Sequence, residues 1–123
     1  MNDNPVVLVA EDDSSIRLTL DFLLSDEGFA VHLASDGEEA LALAEQIYPD
    51  VILLDGVMPK LNGREVLDRL RADDGLRHIP VIVLTGLERR DETDWPGTLF
   101  ITKPFDPDEL IAGIRELSSR SRP

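Results

Sequence analysis

A three-layer α/β fold, with one parallel sheet covered by helices on both faces, is the class that this sequence predicts. Short apolar runs alternate with amphipathic stretches along the chain, the pattern of strand-helix-strand units joined by right-handed crossovers. At 123 residues the chain has the length of a single domain that can bury a complete core. We expect one domain over residues 1–123, with its core at about 5–118 and a frayed tail at 119–123.

Five apolar runs predict the strands of the sheet. In chain order they occupy residues 6–10, 30–34, 51–54, 81–84 and 98–102.

Apolar residues at helical spacing predict four amphipathic helices. Their stripes are Ile16, Leu20, Leu23 and Leu24; Ala40, Leu41, Ala44 and Ile47; Val66, Leu67 and Leu70; and Leu110, Ile111, Ile114 and Leu117. Gly28 follows the first stripe at the position where a left-handed residue ends a helix. Asp106 and Pro107 fit the N-cap and first position of the last helix.

Between the fourth and fifth strands the alternation is broken. Leu87 and Trp95 are the only apolar anchors of the segment "GLERRDETDWPG" at 86–97, too few for a helix that packs on a sheet. We therefore expect the helix of this crossover to be shortened or missing.

Composition narrows the possible functions. The absence of cysteine excludes disulfides, thiolate zinc sites and thiol catalysis, and it agrees with a cytoplasmic location. No apolar run approaches the length of a membrane span, so no membrane association is expected. The net charge of −13 repels nucleic acid phosphates, so we expect no nucleic acid partner.

Polar residues follow four of the predicted strands. Glu11-Asp12-Asp13 come after the first, Asp55 after the third, Thr85 after the fourth and Lys103 after the fifth. Parallel sheets bind ligands beyond the carboxyl ends of their strands, so these residues are expected to meet if strands one and three are neighbours. Helix capping and a turn at Asp55-Gly56 are the simpler alternatives, but they leave Thr85 and Lys103 unexplained.

Three converging carboxylates need a cation. Two carboxylates about 5 Å apart repel by roughly 3 kcal/mol at an effective dielectric near 20. Oxygen ligands without a nearby histidine favour Mg²⁺ or Mn²⁺ over zinc. With such a metal beside it, Asp55 could attack a phosphoryl group, while Thr85 and Lys103 would contact the phosphoryl oxygens.

The same residues resemble the receiver domain of two-component response regulators, the family of the chemotaxis regulator CheY. The similar segments are "VLVAEDDSSIR", "DVILLDGVMPKLNG", "IPVIVLTG" and "FITKPF", which together span nearly the whole chain. The resemblance implies a doubly wound, flavodoxin-like (βα)5 fold with strand order 2-1-3-4-5. It also implies a bacterial phosphoacceptor switch that catalyses its own phosphorylation and dephosphorylation, rather than an enzyme.

Site residues follow from the resemblance position by position. It implies phosphorylation of Asp55, phosphoryl contacts from Thr85 and Lys103, and a conformational switch of Thr85 and Phe100. The implied Mg²⁺ ligands are Glu11, Asp12, Asp55 and the main-chain carbonyl of Val57. The implied donor is a sensor histidine kinase or a histidine phosphotransfer protein, and the downstream protein target is not identified.

Two other classes of function remain open. A pseudo-receiver would keep the fold as a phosphorylation-independent interaction module, consistent with the altered segment before strand five. An aspartate-nucleophile phosphatase of the haloacid dehalogenase type would need an acid two residues after the nucleophile, where this chain has Val57.

Overall fold

The computed structural model describes residues 4–55, 63–85, 98–102 and 104–121, with the backbone alone at positions 55, 63, 85, 120 and 121. Within these ranges it contains the five predicted strands and the four predicted helices. In chain order they are β1 (Val6–Ala10), α1 (Ser14–Asp26), β2 (Ala30–Ala34), α2 (Gly37–Ile47), β3 (Val51–Asp55), α3 (Gly63–Ala72), β4 (Val81–Thr85), β5 (Thr98–Thr102) and α4 (Pro107–Ser121). The segment 86–97, where a shortened or missing helix is expected, lies outside the described residues.

All five strands are parallel and lie in the order β2-β1-β3-β4-β5. This arrangement confirms the predicted fold and makes β1 and β3 direct neighbours. Because parallel strands need crossover connections, the helices between them cover both faces of the sheet.

Each face of the sheet has its own apolar cluster. Val7 and Val9 of β1 pack with residues of α1 and α4, whereas Leu8 and Ala10 pack with residues of α2 and α3. Successive residues of a strand point to opposite faces, so an uninterrupted apolar run is needed to fill both clusters. The continuous runs in the sequence therefore reflect the three-layer structure.

Three element ends, those of β3, β4 and α4, differ from the sequence prediction. β3 and β4 each include one polar residue more than expected, Asp55 and Thr85, because main-chain pairing continues beyond the apolar run. Helix α4 continues to Ser121, where fraying is predicted from residue 119. The Ser119 hydroxyl donates to the Glu116 carbonyl over 2.8 Å in this last turn.

No helix among the described residues is long and apolar enough to cross a bilayer.

The end of α1 is a Schellman motif centred on Gly28. Gly28 has φ of 96°, its N–H donates to Ser25 O over 3.0 Å, and Phe29 N–H donates to Leu24 O over 3.1 Å. Phe29 and Leu24 belong to the same apolar cluster, which is the hydrophobic contact typical of this motif. The prediction that Gly28 ends the helix in the left-handed conformation is confirmed.

Substituting Gly28 by Ala is expected to lower the free energy of unfolding by about 1 kcal/mol, because a residue with a β-carbon is strained at positive φ. An added β-carbon would meet nothing within 4 Å, so the cost is conformational. Urea unfolding measures it. Gly75→Ala is the matched control, since φ there is not positive and the nearest atom to an added β-carbon, Asp73 Oδ1, is 3.4 Å away. Equal losses in the two variants would contradict this account.

Candidate functional site

The register of the sheet brings the predicted site residues to one edge. Ala10 pairs with Leu54, so the next residues on these neighbouring strands, Glu11 and Asp55, lie side by side at the carboxyl edge. Asp55 pairs in turn with Leu84, the residue before Thr85.

The far side of this edge is set by β4 and β5. Thr85 pairs with Thr102, the last residue of β5, and Lys103 is the next residue of the chain. The backbone therefore brings Glu11 and Asp12, here called the acidic pair, to the same edge as Asp55 and Thr85. Lys103 follows this edge directly in the sequence.

Glu11 is an unusual residue at this edge because its carboxylate is buried. Its relative exposure is 1%, and its Oε2 accepts a hydrogen bond of 3.2 Å from Asp13 N. The Glu11 N–H donates to Ala34 O over 3.0 Å, which holds the residue against the end of β2. Burying a carboxylate is costly unless hydrogen bonds or a cation offset the loss of hydration. The burial of Glu11 therefore favours a site in which its negative charge interacts with a cation.

Asp13 caps α1, as the simpler interpretation of "EDDSS" predicts. Its Oδ1 accepts from Ser15 N over 2.9 Å and from Ile16 N over 3.1 Å. Asp12 is exposed and takes no part in the cap. Of the three consecutive acids, Asp13 caps the helix, and Glu11 and Asp12 are the candidate site residues.

Arg17, which the sequence pattern does not single out, also contacts Glu11 and Asp12. Its Nη1 donates to Glu11 O over 2.8 Å and to Asp12 O over 3.4 Å. A cation near the N-terminus of a helix opposes the helix dipole, and that unfavourable placement is the signal that could have drawn attention to Arg17.

Several predicted site residues fall outside what the structure describes. Val57 and Lys103 lie outside the described residues, and Asp55 and Thr85 are placed by their backbone alone. Among the described side chains no three His, Cys, Asp or Glu residues form a metal-ligand group, and the expected group includes Asp55. Phe100 is half-buried and packs against the core cluster on the α2 and α3 face.

The acids that are described fit a hard divalent cation. Glu11 and Asp12 supply carboxylate oxygens, the donors that Mg²⁺ prefers, and the exposed Asp12 is open to an ion arriving from solvent. The backbone of Asp55, the third predicted acid of the site, lies level with Glu11 on the neighbouring strand.

Comparison with known proteins assigns the family. Residues 7–115 match the response regulator receiver domain, and the chain belongs to this family of two-component signalling proteins. Receiver domains are phosphoacceptor switches that partner with histidine kinases. The match confirms the resemblance found in the sequence.

Individual relatives agree with this assignment. A probable transcriptional regulator, ycf27, of Guillardia theta is 42% identical over 119 residues, which cover 94% of this chain and 46% of the relative. The Francisella response regulator 1452 receiver domain is 36% identical with a TM-score of 0.86, covering 97% of this chain and all (100%) of that one.

One similar structure was solved with a metal. The receiver domain of the sensor histidine kinase PA1611 from Pseudomonas aeruginosa contains a magnesium ion coordinated in its active site cleft. It is 26% identical to this chain, with a TM-score of 0.86 and coverage of 94% of this chain and 98% of that one. The chain spans about half the length of the curated relatives it matches.

Asp13→Ala is expected to lower the free energy of unfolding by about 1 kcal/mol, because the N-cap of α1 is lost. Asp13→Asn keeps an oxygen that accepts from Ser15 N and Ile16 N, so its stability should stay close to that of the unmodified chain. Thermal or urea unfolding compares the two variants. A loss as large in the Asn variant as in the Ala variant would show that the charge of Asp13, not its capping oxygen, supports the fold.

Proposed function

We propose that the chain accepts a phosphoryl group on Asp55 from a phosphohistidine of a sensor histidine kinase or a histidine phosphotransfer protein. In this reaction a carboxylate oxygen of Asp55 forms a bond to phosphorus as the phosphorus–nitrogen bond breaks. The electron pair of that bond stays on the imidazole nitrogen, which becomes neutral or takes up a proton. The observation that carries the proposal is the register that sets Asp55 beside Glu11 at the carboxyl edge.

The carboxyl edge would hold Mg²⁺, or Mn²⁺ in its place, because both ions prefer oxygen donors. The proposed ligands are Glu11, Asp12, Asp55 and the main-chain carbonyl of Val57. When bound, the cation supplies charge neutralisation for the incoming phosphoryl group. A magnesium ion in the cleft of the similar PA1611 receiver domain supports this choice.

The remaining residues of the edge would read the phosphoryl group. In this proposal Lys103 pairs with a phosphoryl oxygen, and Thr85 donates its hydroxyl to another. Movement of Thr85 would leave space for the side chain of Phe100. Phe100 is half-buried and belongs to β5, the outermost strand on that side of the sheet. The phosphorylated and unphosphorylated states would then present different surfaces to a protein target.

Output through protein contact agrees with the charge of the chain. Its net charge of −13 opposes direct contact with DNA. The probable transcriptional regulator of Guillardia theta is about twice as long as the region it shares with this chain. A role in transcription therefore does not transfer to this chain alone.

A surface beside the edge supports docking of the donor protein. Leu18 and Phe22 of α1 are 63% and 77% exposed, although both are large and apolar. They line a groove of about 570 Å³, here called the α1–α4 groove, formed by Leu18, Thr19, Phe22, Leu23, Phe105 and Pro107. The groove includes Phe105 of the segment that follows β5, two residues after Lys103 in the sequence. We propose that the phosphodonor protein docks in the α1–α4 groove.

Phe22→Ser is expected to slow transfer from a phosphorylated histidine phosphotransfer domain by about tenfold, because an exposed aromatic anchor is lost from the interface. The rate with acetyl phosphate should not change, since that donor needs no protein surface. Tyr48→Ser is the matched control: Tyr48 is 60% exposed and lies at the opposite edge of the sheet, before β3. Equal effects of Phe22→Ser on both donors would contradict docking in the groove.

Phosphorylation itself is tested by intact mass after incubation with acetyl phosphate, with and without Mg²⁺. The unmodified chain is expected to gain one phosphoryl group only when Mg²⁺ is present, and Asp55→Asn to gain none. Asp13→Asn, which removes a neighbouring acid that serves as a cap, should still be phosphorylated. Folded, Mg²⁺-binding protein that gains no phosphoryl group from any donor would instead favour the pseudo-receiver.

A further inference from the structure

Hydrogen bonds link residues 11–17 around Glu11 and Asp12, and the Arg17 side chain donates two of them. We propose that Arg17 is a positioning residue for the Mg²⁺ site, because it fixes the main-chain carbonyls of Glu11 and Asp12 and thereby the direction of both carboxylates. This inference rests on the proposed function of the edge.

Several backbone and side-chain groups of residues 11–13, here called the acidic turn, form hydrogen bonds with neighbouring residues. The Glu11 N–H is bound to Ala34 O, and the Glu11 carboxylate accepts from Asp13 N. Asp13 is held in turn by its cap on α1 and by its carbonyl, which accepts from Arg17 N over 2.9 Å. The carbonyls of Glu11 and Asp12 both accept from the Arg17 side chain.

The guanidinium donates to main-chain carbonyl oxygens rather than to the carboxylate of Asp12. Among the residues that the structure describes, the recorded hydrogen bonds of the Arg17 side chain are these two, at 2.8 Å and 3.4 Å. An arginine that bound the Asp12 carboxylate directly would compete with a cation for it. Arg17 instead orients the backbone from which that carboxylate projects, in the way that outer residues orient metal ligands.

The charge and the hydrogen bonds of Arg17 act on Mg²⁺ in opposite directions. A positive charge near the site repels a divalent cation, so removing it alone would tighten Mg²⁺ binding. Losing the hydrogen bonds frees the Glu11 and Asp12 backbone, so the acids must be ordered again when the cation binds, and affinity falls. Substitution of Arg17 removes both effects at once, and the proposal is that positioning outweighs repulsion, so that the net result is weaker Mg²⁺ binding.

Calorimetric titration of the unphosphorylated chain with Mg²⁺ tests the proposal without using phosphorylation activity. Arg17→Met and Arg17→Gln both remove the charge and are expected to raise the Mg²⁺ dissociation constant by about tenfold, the lower end of the effect seen for residues that orient metal ligands. Thermal unfolding in the absence of Mg²⁺ establishes that each variant is folded, and either variant alone is sufficient for the comparison.

Arg71→Met is the matched control for a merely structural effect. The Nη1 of Arg71 donates to the carbonyls of Arg77 and Ile79, over 3.0 Å and 2.9 Å, before β4 at the amino edge of the sheet. This substitution removes the same kind of contact far from the acids. It should lower thermal stability and leave the Mg²⁺ dissociation constant unchanged.

The possible results separate the inference from the proposed function. Weaker Mg²⁺ binding in the Arg17 variants, with unchanged binding in Arg71→Met, supports the positioning role. Unchanged or tighter binding in folded Arg17 variants overturns that role and leaves the proposed site intact. Failure of the unmodified chain to bind Mg²⁺ overturns both the inference and the metal-dependent function.

Discussion

The pairing of β1 with β3 is the constraint on which the rest of the site depends. Glu11 and Asp55 are 44 residues apart in the sequence, and this pairing makes them neighbours at the carboxyl edge of the sheet. Because the strands are parallel, their carboxyl ends coincide and the acids that follow them are brought together. The apolar residues inside both strands make this pairing stable, since they fill clusters on both faces of the sheet. The backbone of the fold thus brings Glu11 and Asp55 level with one another, and the proposed cation site is built on that juxtaposition.

The acidic turn combines a buried, hydrogen-bonded acid with an exposed one. Glu11 is buried and bonded to its neighbours, whereas Asp12 extends to solvent from a backbone whose carbonyls Arg17 holds. Asp13, the third acid, belongs to the helix rather than to the site. Consecutive carboxylates with identical chemistry therefore have different roles, and the differences arise from burial and hydrogen bonding.

Sequence reasoning predicts the parts of this structure that depend on local pattern. The strands follow from apolar runs, the end of α1 from Gly28, and the start of α4 from Pro107 and its cap. The ends of β3 and β4 are less predictable, since Asp55 and Thr85 extend them through main-chain pairing that does not depend on an apolar side chain.

The site is predictable where it follows from strand ends and less so where it depends on side-chain reach. Placement of Glu11 and Asp55 side by side follows once β1 and β3 are neighbours. The contacts of Arg17 depend on how its side chain folds back over the preceding turn, which residue spacing alone does not determine. The roles of Thr85 and Lys103 stay predictions, because their side chains lie outside the described part of the chain.

The most direct test of the account is to locate the phosphorylated residue. Borohydride reduction of the chain after treatment with acetyl phosphate and Mg²⁺ converts an acyl phosphate into a stable alcohol, and peptide mass spectrometry then identifies the modified position. The account predicts modification at Asp55 and at no other acid. Modification of Asp12 or Glu11 in place of Asp55 would contradict it, because those acids are assigned to the metal and not to the phosphoryl group.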